Sequence, residues 1–372
     1  MAEINHNDRA HALLSASSAH RWLLCPPSAM AAELYEDTET DYTREGTLAH
    51  ETAEAIMRSA PIPEGADAEM VRNAEGYRDY INSLLESDHA VALVEQRVDF
   101  SPWVPGGFGT ADCILIQGDT MDIVDYKYGQ GIAVPAQDNS QMRLYALGAV
   151  NDYGFAYDIK RVRMHIYQPR KDNISMAEIE TPALLEWAES YVKPRAVLAA
   201  KGEGNYAAGT QCTFCPHAGQ CRELTRLCKA YIEEHGARHA VPVLAPFEVA
   251  EILAMEPLVT LWLKRVKAQA LDTLLNGGEI PGYKAVAGRG TRAWDDELAV
   301  AQAMEAAGFA REDYTETVLL SPAKLEKAIG KKRTSELLAA HIEKHTGAPT
   351  IAPVTDKRPA YDRLAEARED FK

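Results

Sequence analysis

The sequence predicts an α/β fold, a mixed central sheet flanked by helices, with a mainly helical C-terminal region. Three features predict it. Two N-terminal segments carry apolar residues at helical spacing; three short runs rich in β-branched residues follow, divided by turn signals; helical spacing then returns before one more strand-like run.

In chain order, Ser15 to Met30 opens with small polar residues suited to capping and stops at Pro26-Pro27, with Cys25 at the break. From Thr43 to Ser59, Leu48, Thr52, Ala55 and Ile56 mark one helical face, with Gly46 near its start. A second helix is expected from about Ala68 to Ser87, its inner stripe formed by Val71, Tyr77, Ile81, Leu84 and Leu85. Val91 to Phe100, Gly109 to Gln117 and Thr120 to Tyr128 then read as a three-strand meander, separated by Pro-Gly-Gly and Gly-Asp. Asn139 to Asp152 is helical through Met142, Tyr145, Ala146 and Ala149, and Arg161 to Gln168 is a strand. After Thr181 a long helix is expected to reach Gln211, followed by a cysteine cluster and a helix to about His235. Val241 to Pro246 reads as a linker, which divides the chain into residues 1–240 and 247–372. Beyond it, Phe247 to Leu275 is helical, Tyr283 to Trp294 is a short hairpin, and two more helices precede a Pro-rich, charged tail.

The chain has 372 residues, 46% of them hydrophobic and 25% charged, which is ordinary globular composition with room for a core and a second unit. No apolar run approaches the roughly 18 to 20 residues that cross a bilayer, and the polar N-terminus is unlike an export signal; a cytoplasmic location is expected. The six cysteines are then reduced, and a close group of them points to metal or an iron-sulfur cluster. A net charge of −16 argues against a protein that coats DNA non-specifically, because Lys and Arg on phosphate supply that affinity. It leaves room for an enzyme with a local basic groove and carboxylates gathered around divalent ions.

Asp112 falls inside the second strand of the meander and Asp125-Tyr126-Lys127 ends the third. Adjacent antiparallel strands can bring both aspartates and the lysine to one edge of the sheet. Carboxylate oxygens, a main-chain carbonyl and water suit Mg²⁺ or Mn²⁺, while an ammonium beside them can orient the attacking water or stabilise phosphorane-like charge. His50, on the preceding helix, could add an imidazole that favours Mn²⁺. Each residue alone also fits a bland role: a solvated strand end for the aspartates, a surface or core position for the histidine. Asp122 rivals Asp125 as a ligand, but strand alternation puts it on the opposite face. Glu95, in the first strand, is either an outer acidic contributor or an exposed strand carboxylate.

Cys212, Cys215 and Cys221 form a CxxC followed by a third cysteine, leaving one ligand missing, and Cys25 at the end of the first helix is the candidate for it. Spacing alone does not separate zinc from an iron-sulfur cluster. His217 could replace a cysteine in a zinc site, although a solvent-facing loop histidine is the simpler reading. Cys113 and Cys228 read as buried small hydrophobes.

Gly46-Thr-Leu-Ala-His50, Gly109-Thr-Ala-Asp112, Asp125-Tyr-Lys127 and Gln141-Met-Arg-Leu-Tyr145 occur in that order. The series resembles the motifs of RecB-type PD-(D/E)XK nucleases. The resemblance implies a restriction-endonuclease-like core in which His50, Asp112 and Asp125 bind metal, with the carbonyl of Tyr126 as a further ligand. Lys127 would act at the nucleophilic water, and Gln141 and Tyr145, one helical turn apart, would contact DNA and shape the site. The one-plus-three cysteine layout resembles the 4Fe-4S nucleases, including the CRISPR-associated exonucleases and the nuclease domain of AddB-type helicase-nucleases, where the cluster staples the N-terminal segment to the region after the core. Gly282 to Trp294, Leu320 to Lys324 and Pro349 to Pro359 are together similar to a phage and prophage family that joins such a core to a helical C-terminal region.

These resemblances imply a Mg²⁺- or Mn²⁺-dependent DNA exonuclease of phage replication or recombination, with a 4Fe-4S cluster or, alternatively, zinc. Its expected partners are single-stranded or duplex DNA ends and phage replication or recombination proteins, in a bacterial host cell. A nuclease-like module that binds DNA ends or a replication partner without cutting is the second reading. Polarity, strand preference, exo- against endonuclease action and homo-oligomerisation stay open. Lys284, Arg289, Arg292 and Trp294 form either a small basic and aromatic DNA contact or an exposed hairpin with scattered charge.

Overall fold

The computed structural model describes residues 12–35, 40–86, 89–236 and 244–286, together with Gly330, Arg333 and Glu336. The chain divides into two compact units, Met1–Arg292 and Ala293–Lys372. The first holds the sheet, and within it the fold is α/β: five strands in the order β1-β2-β3-β4-β5, covered by helices. Among the described residues no helix is long and apolar enough to cross a membrane.

The strands are β1 Val91–Asp99, β2 Phe108–Gln117, β3 Thr120–Tyr126, β4 Arg161–Gln168 and β5 Asn173–Glu180. The pairs β1–β2, β2–β3 and β4–β5 are antiparallel, whereas β3–β4 is parallel. A parallel neighbour needs a crossover, here helix α5 (Ser140–Tyr153), whose first turn Asn139 caps through its side chain. All seven residues of β3 are buried, as befits a central strand covered on both faces.

Alternation along the strands sorts the core into two layers. Ile114, Ile116, Met121 and Ile123 face the layer that holds α5 and the N-terminal helix α1 (Ala19–Leu24), whose Trp22 is fully buried. Cys113, Leu115, Val124 and Tyr126 face the other layer, formed by α3 (Asp41–Met57) and α4 (Ala68–Leu84). Thr40 starts α3 with a capping box and Asp67 caps α4, so both helices have fixed starts against the sheet. A five-residue helix α2 (Ser28–Ala32) follows the Cys25-Pro26-Pro27 break.

Two expectations need correction. The segment Asn173–Glu180, which the sequence reading leaves without an element, is the edge strand β5; its alternation is weak because Ile174 and Met176 are exposed on the open side of the sheet. The long helix expected from Thr181 to Gln211 ends at Lys201. It consists of α6 (Thr181–Trp187), a π-helical turn at Ala188–Val192 just before Pro194, and α7 (Lys193–Lys201), closed by Gly202 at φ +69°. The helix α8 (Arg222–Gly236) follows the cysteines, and α9 (Pro246–Leu275) packs through Leu258, Val259, Leu261 and Trp262 against the cysteine segment. The first compact unit therefore includes α9. The expected hairpin is described only through an isolated bridge between Ile280 and Tyr283; Arg289, Arg292, Trp294 and most of the C-terminal region lie outside the described residues.

Candidate metal centre and cysteine site

The ends of β2 and β3 open into a cavity of about 240 Å³ lined by His50, Asp112, Asp125, Lys127, Gln141 and Tyr145. Each comes from a different backbone constraint. Asp112 and Asp125 lie one step beyond the paired Cys113 and Val124, so their side chains leave the same face of neighbouring strands. Lys127 is still tied to the ladder through its N–H to the Tyr167 carbonyl at 2.9 Å. Gln141 and Tyr145 project from the first turns of α5. Gly109 on β2 is required by this packing, because a Cβ there would stand 2.7 Å from the Tyr145 ring.

A continuous polar chain joins the residues of the α5 side. Lys127 Nζ lies 2.9 Å from Asp125 Oδ2 and donates to Asp125 Oδ1 and to Gln141 Oε1, both at 3.2 Å. Gln141 Nε2 donates to the Tyr145 hydroxyl at 3.1 Å and faces Asp125 Oδ1 at 3.4 Å. Asp125 is 2% exposed, and its Oδ2, although close to the ammonium, accepts no hydrogen bond. Burial raises the Asp125 carboxyl above the ordinary range against the pull of Lys127, and the two aspartates keep the Lys127 ammonium charged despite its burial.

On the other side, His50 Nδ1 stands 3.4 Å from Asp112 Oδ1, while Asp112 Oδ2 accepts the Tyr126 N–H at 2.7 Å. Burial works to raise Asp112, but His50, Lys127 and that N–H outweigh it and hold the carboxyl below the usual range. The Asp112 carboxylate in turn lifts the imidazole of His50 to about 9. Burial and then the Asp112 charge push Glu95 up to about 7. Among the described residues, the metal-ligating side chains whose donor atoms lie within 4.8 Å of one another are His50, Glu95 and Asp112. Asp125 faces the same cavity but is not in that group, and Glu95 takes its place.

Tyr126 itself is fully buried, its ring 5.7 Å from the His50 ring and 5.0 Å from Tyr77 on the opposite face of the sheet. Its main-chain N–H reaches Asp112, but Tyr126 is not among the residues that line the cavity. Ser15 and Ser17, in the turn before α1, and Phe108 and Thr110 on β2 also line the cavity. The sequence reading treated the serines as a helix start, and nothing in their local pattern distinguishes that role from lining a cavity.

Asp122 has the opposite surroundings. It is fully buried and receives Arg163 Nε at 2.7 Å and Nη2 at 2.9 Å, and its Oδ1 lies 2.9 Å from His165 Nε2. His165 Nδ1 is in turn 2.9 Å from the Tyr80 hydroxyl. These partners hold Asp122 below the ordinary carboxylate range against its burial. The expectation that it points away from Asp125 agrees with this placement.

Cys25, Cys212, Cys215 and Cys221 come together around one small cavity that Arg21, Ser28 and Tyr206 also line. A backbone N–H approaches each sulfur: Ala207 to Cys25 at 3.4 Å, Gly209 to Cys212 and Leu224 to Cys221 at 3.5 Å, and His217 to Cys215. Ser28 Oγ is buried beside them without a hydrogen-bond partner. His217 packs between Tyr35, whose hydroxyl is 3.1 Å from its Nδ1, and Tyr206. Gly219 lets the loop meet α9, since a Cβ would stand 2.8 Å from the Arg265 carbonyl oxygen. Cys113 and Cys228 are buried among apolar side chains and line neither cavity.

Fold and site together define a mixed α/β protein with a carboxylate-rich cavity at one end of its sheet and four cysteines around a second, smaller cavity. The family described as "Protein of unknown function (DUF2800)" matches residues 11–359, and the chain belongs to that family. A solved structure titled "Crystal structure of SSO0001" is similar over 56% of this chain and 85% of that chain, at 15% identity and a TM-score of 0.29, which is too distant a likeness to carry a functional argument.

Proposed function

We propose that this chain is a divalent-metal-dependent deoxyribonuclease of the RecB-type PD-(D/E)XK class, acting on DNA ends, with a metal cluster held by Cys25, Cys212, Cys215 and Cys221. The observation that carries the reading is the meeting of Asp112, Asp125, His50 and Lys127 in one cavity, two largely buried carboxylates on the same face of neighbouring strands. Two buried carboxylates side by side repel one another, and positive charge between them lowers that cost. The donor set fits Mg²⁺ or Mn²⁺: Asp112, Asp125 and the Tyr126 carbonyl would hold it, with His50 standing on the other side of Asp112. When bound, such an ion supplies Lewis acidity toward a phosphate oxygen and lowers the pKa of water.

The chain's own groups would do the rest. Lys127 presents an ammonium kept charged by two aspartates and stabilises the negative charge that develops on the phosphate during attack. Gln141 bridges Lys127 and Tyr145, fixing the ammonium's direction, and the Tyr145 hydroxyl offers a donor to a DNA phosphate at the mouth of the cavity.

At the cysteine site, sulfurs that each receive a backbone N–H suit cluster ligation, since such donors stabilise the charge a thiolate ligand would carry. One cysteine from the N-terminal helix end and three from one loop around a single small cavity is the layout that resembles the 4Fe-4S nucleases, and that resemblance is the ground for preferring 4Fe-4S to zinc. An iron-sulfur protein purified anaerobically is brown and absorbs near 400 nm; a colourless zinc-loaded sample contradicts this assignment. The activity is tested on end-labelled single-stranded and duplex DNA with and without Mn²⁺. Metal-dependent shortening is the expected result, and binding without cleavage on every substrate favours the silent-module reading instead.

A further inference from the structure

We propose that Glu95 is a metal ligand, forming with His50 and Asp112 a second divalent-cation position that shares Asp112 with the one beside Asp125. What the ion does there rests on the nuclease reading above; that it binds rests on the geometry of β1, β2 and α3.

The register places Glu95 directly across from Asp112, between the pairs Val94–Cys113 and Gln96–Ala111. Two carboxylates opposed on neighbouring strands repel one another and destabilise the pair unless something positive lies between them. His50 reaches the same point from α3, and one donor atom from each of the three lies within 4.8 Å of the others. Ligands of one ion at about 2.1 Å stand about 3 to 4 Å apart, so sub-ångström to ångström-scale closing completes the set. A nitrogen with two carboxylate oxygens suits Mn²⁺ better than Mg²⁺ or Ca²⁺.

Three further observations bear on it. Glu95 has no hydrogen-bond or ion-pair partner among the described residues, while neighbouring Glu54 is engaged by Arg58 at 3.0 Å, so Glu95 is the carboxylate left available. Glu95 has φ +49° inside a strand, a strained conformation for a non-glycine residue. The cavity into which His50 and Asp112 point also receives the buried Asp125 oxygen that accepts no hydrogen bond. On its far side, an open groove runs past Glu51, Glu54 and Thr47 to His50 and Glu95, giving a hydrated ion a route that does not cross Lys127.

The test is a Mn²⁺ titration of the full chain, followed by the electron paramagnetic resonance signal of free Mn²⁺. The parent is expected to bind two ions, Glu95→Gln one, Asp125→Asn one and Asp112→Asn neither. The parent's bound signal should also be broadened by coupling between ions that share Asp112, a readout that needs no variant and stands if Glu95→Gln fails to fold. Two ions retained by folded Glu95→Gln, or a parent that binds a single uncoupled ion, overturns the Glu95 position and leaves the nuclease reading intact. A parent that binds no Mn²⁺ contradicts the nuclease reading itself, and the Glu95 position with it.

Discussion

Asp122 and Asp125 stand three residues apart on β3, both buried, one on each face of the sheet. Around Asp122, Arg163 and His165 satisfy both oxygens, and Tyr80 closes the network behind His165. Around Asp125 the partners are a single ammonium, which lies close to both oxygens, a distant amide and a cavity. On the reading proposed above, the same residue type at the same depth is structural on one face and a ligand on the other. Burial alone does not separate the two; the completeness of the hydrogen bonding does.

The comparison can be broken most sharply at Asp122. Replacing it by Ala leaves Arg163 and His165 facing an emptied buried site, and breaking a buried pair in this way costs about 3–5 kcal/mol. Denaturant unfolding should show that loss, while Mn²⁺ binding at the folded variant is unchanged. A loss of Mn²⁺ sites would instead move the metal centre to the wrong face.

Lys127→Ala should act in the opposite manner. Cleavage is expected to fall by about 10²–10³-fold, the range for removing one stabilising donor, with far-UV circular dichroism unchanged. Parental cleavage rates in this variant would remove Lys127 from the chemistry.

A smaller effect is expected at Gly219, on the cysteine loop. A Cβ there meets the Arg265 carbonyl oxygen at 2.8 Å and Gln269 Cβ at 3.0 Å, and overpacking of this kind costs about 1–3 kcal/mol. Gly219→Ala should lower the melting temperature and loosen α9, detected as faster amide exchange in Leu258 to Trp262, while the protection of β3 stays as it was. Loss of protection in β3 as well would show that the cysteine loop and the sheet unfold together.

The smallest expected effect is in the pH profile. The pKa of Asp122 is depressed in the folded protein, so its contribution is fully present above the unfolded carboxylate value of about 3.9 and is lost as pH falls through the lower folded value. Stability of the parent should therefore fall with pH in the acid range below about 4, and Asp122→Asn should lack that part of the slope. Equal slopes for the two proteins, measured by urea unfolding, would contradict the assignment.

Much of this was legible in the sequence. The period-2 runs located β1 to β4 to within one or two residues because buried strands select β-branched side chains, and the Asp112 and Asp125 positions followed from that register. The opposed faces of Asp122 and Asp125 followed from alternation alone. Strand β5 was hidden because an edge strand with one open face shows no continuous apolar run. The break at Ala188–Val192 was hidden because a π turn leaves the helical spacing almost intact, and the end at Gly202 because a left-handed cap is one residue in a polar stretch. Glu95 was ambiguous between ligand and exposed carboxylate, since the cross-strand pairing that sets it against Asp112 is a long-range property. Ser15 and Ser17 carried no signal at all for the cavity they line.

The central claim is that the Asp125 face cuts DNA with a bound cation and that the Asp122 face only holds the sheet. Digestion of end-labelled DNA with Mn²⁺, by the parent, Asp122→Asn and Asp125→Asn at a temperature where all three are folded, tests it most directly. The account predicts cleavage by the parent and by Asp122→Asn and none by Asp125→Asn; parental cleavage by Asp125→Asn, or a parent that leaves every DNA substrate intact, would contradict it.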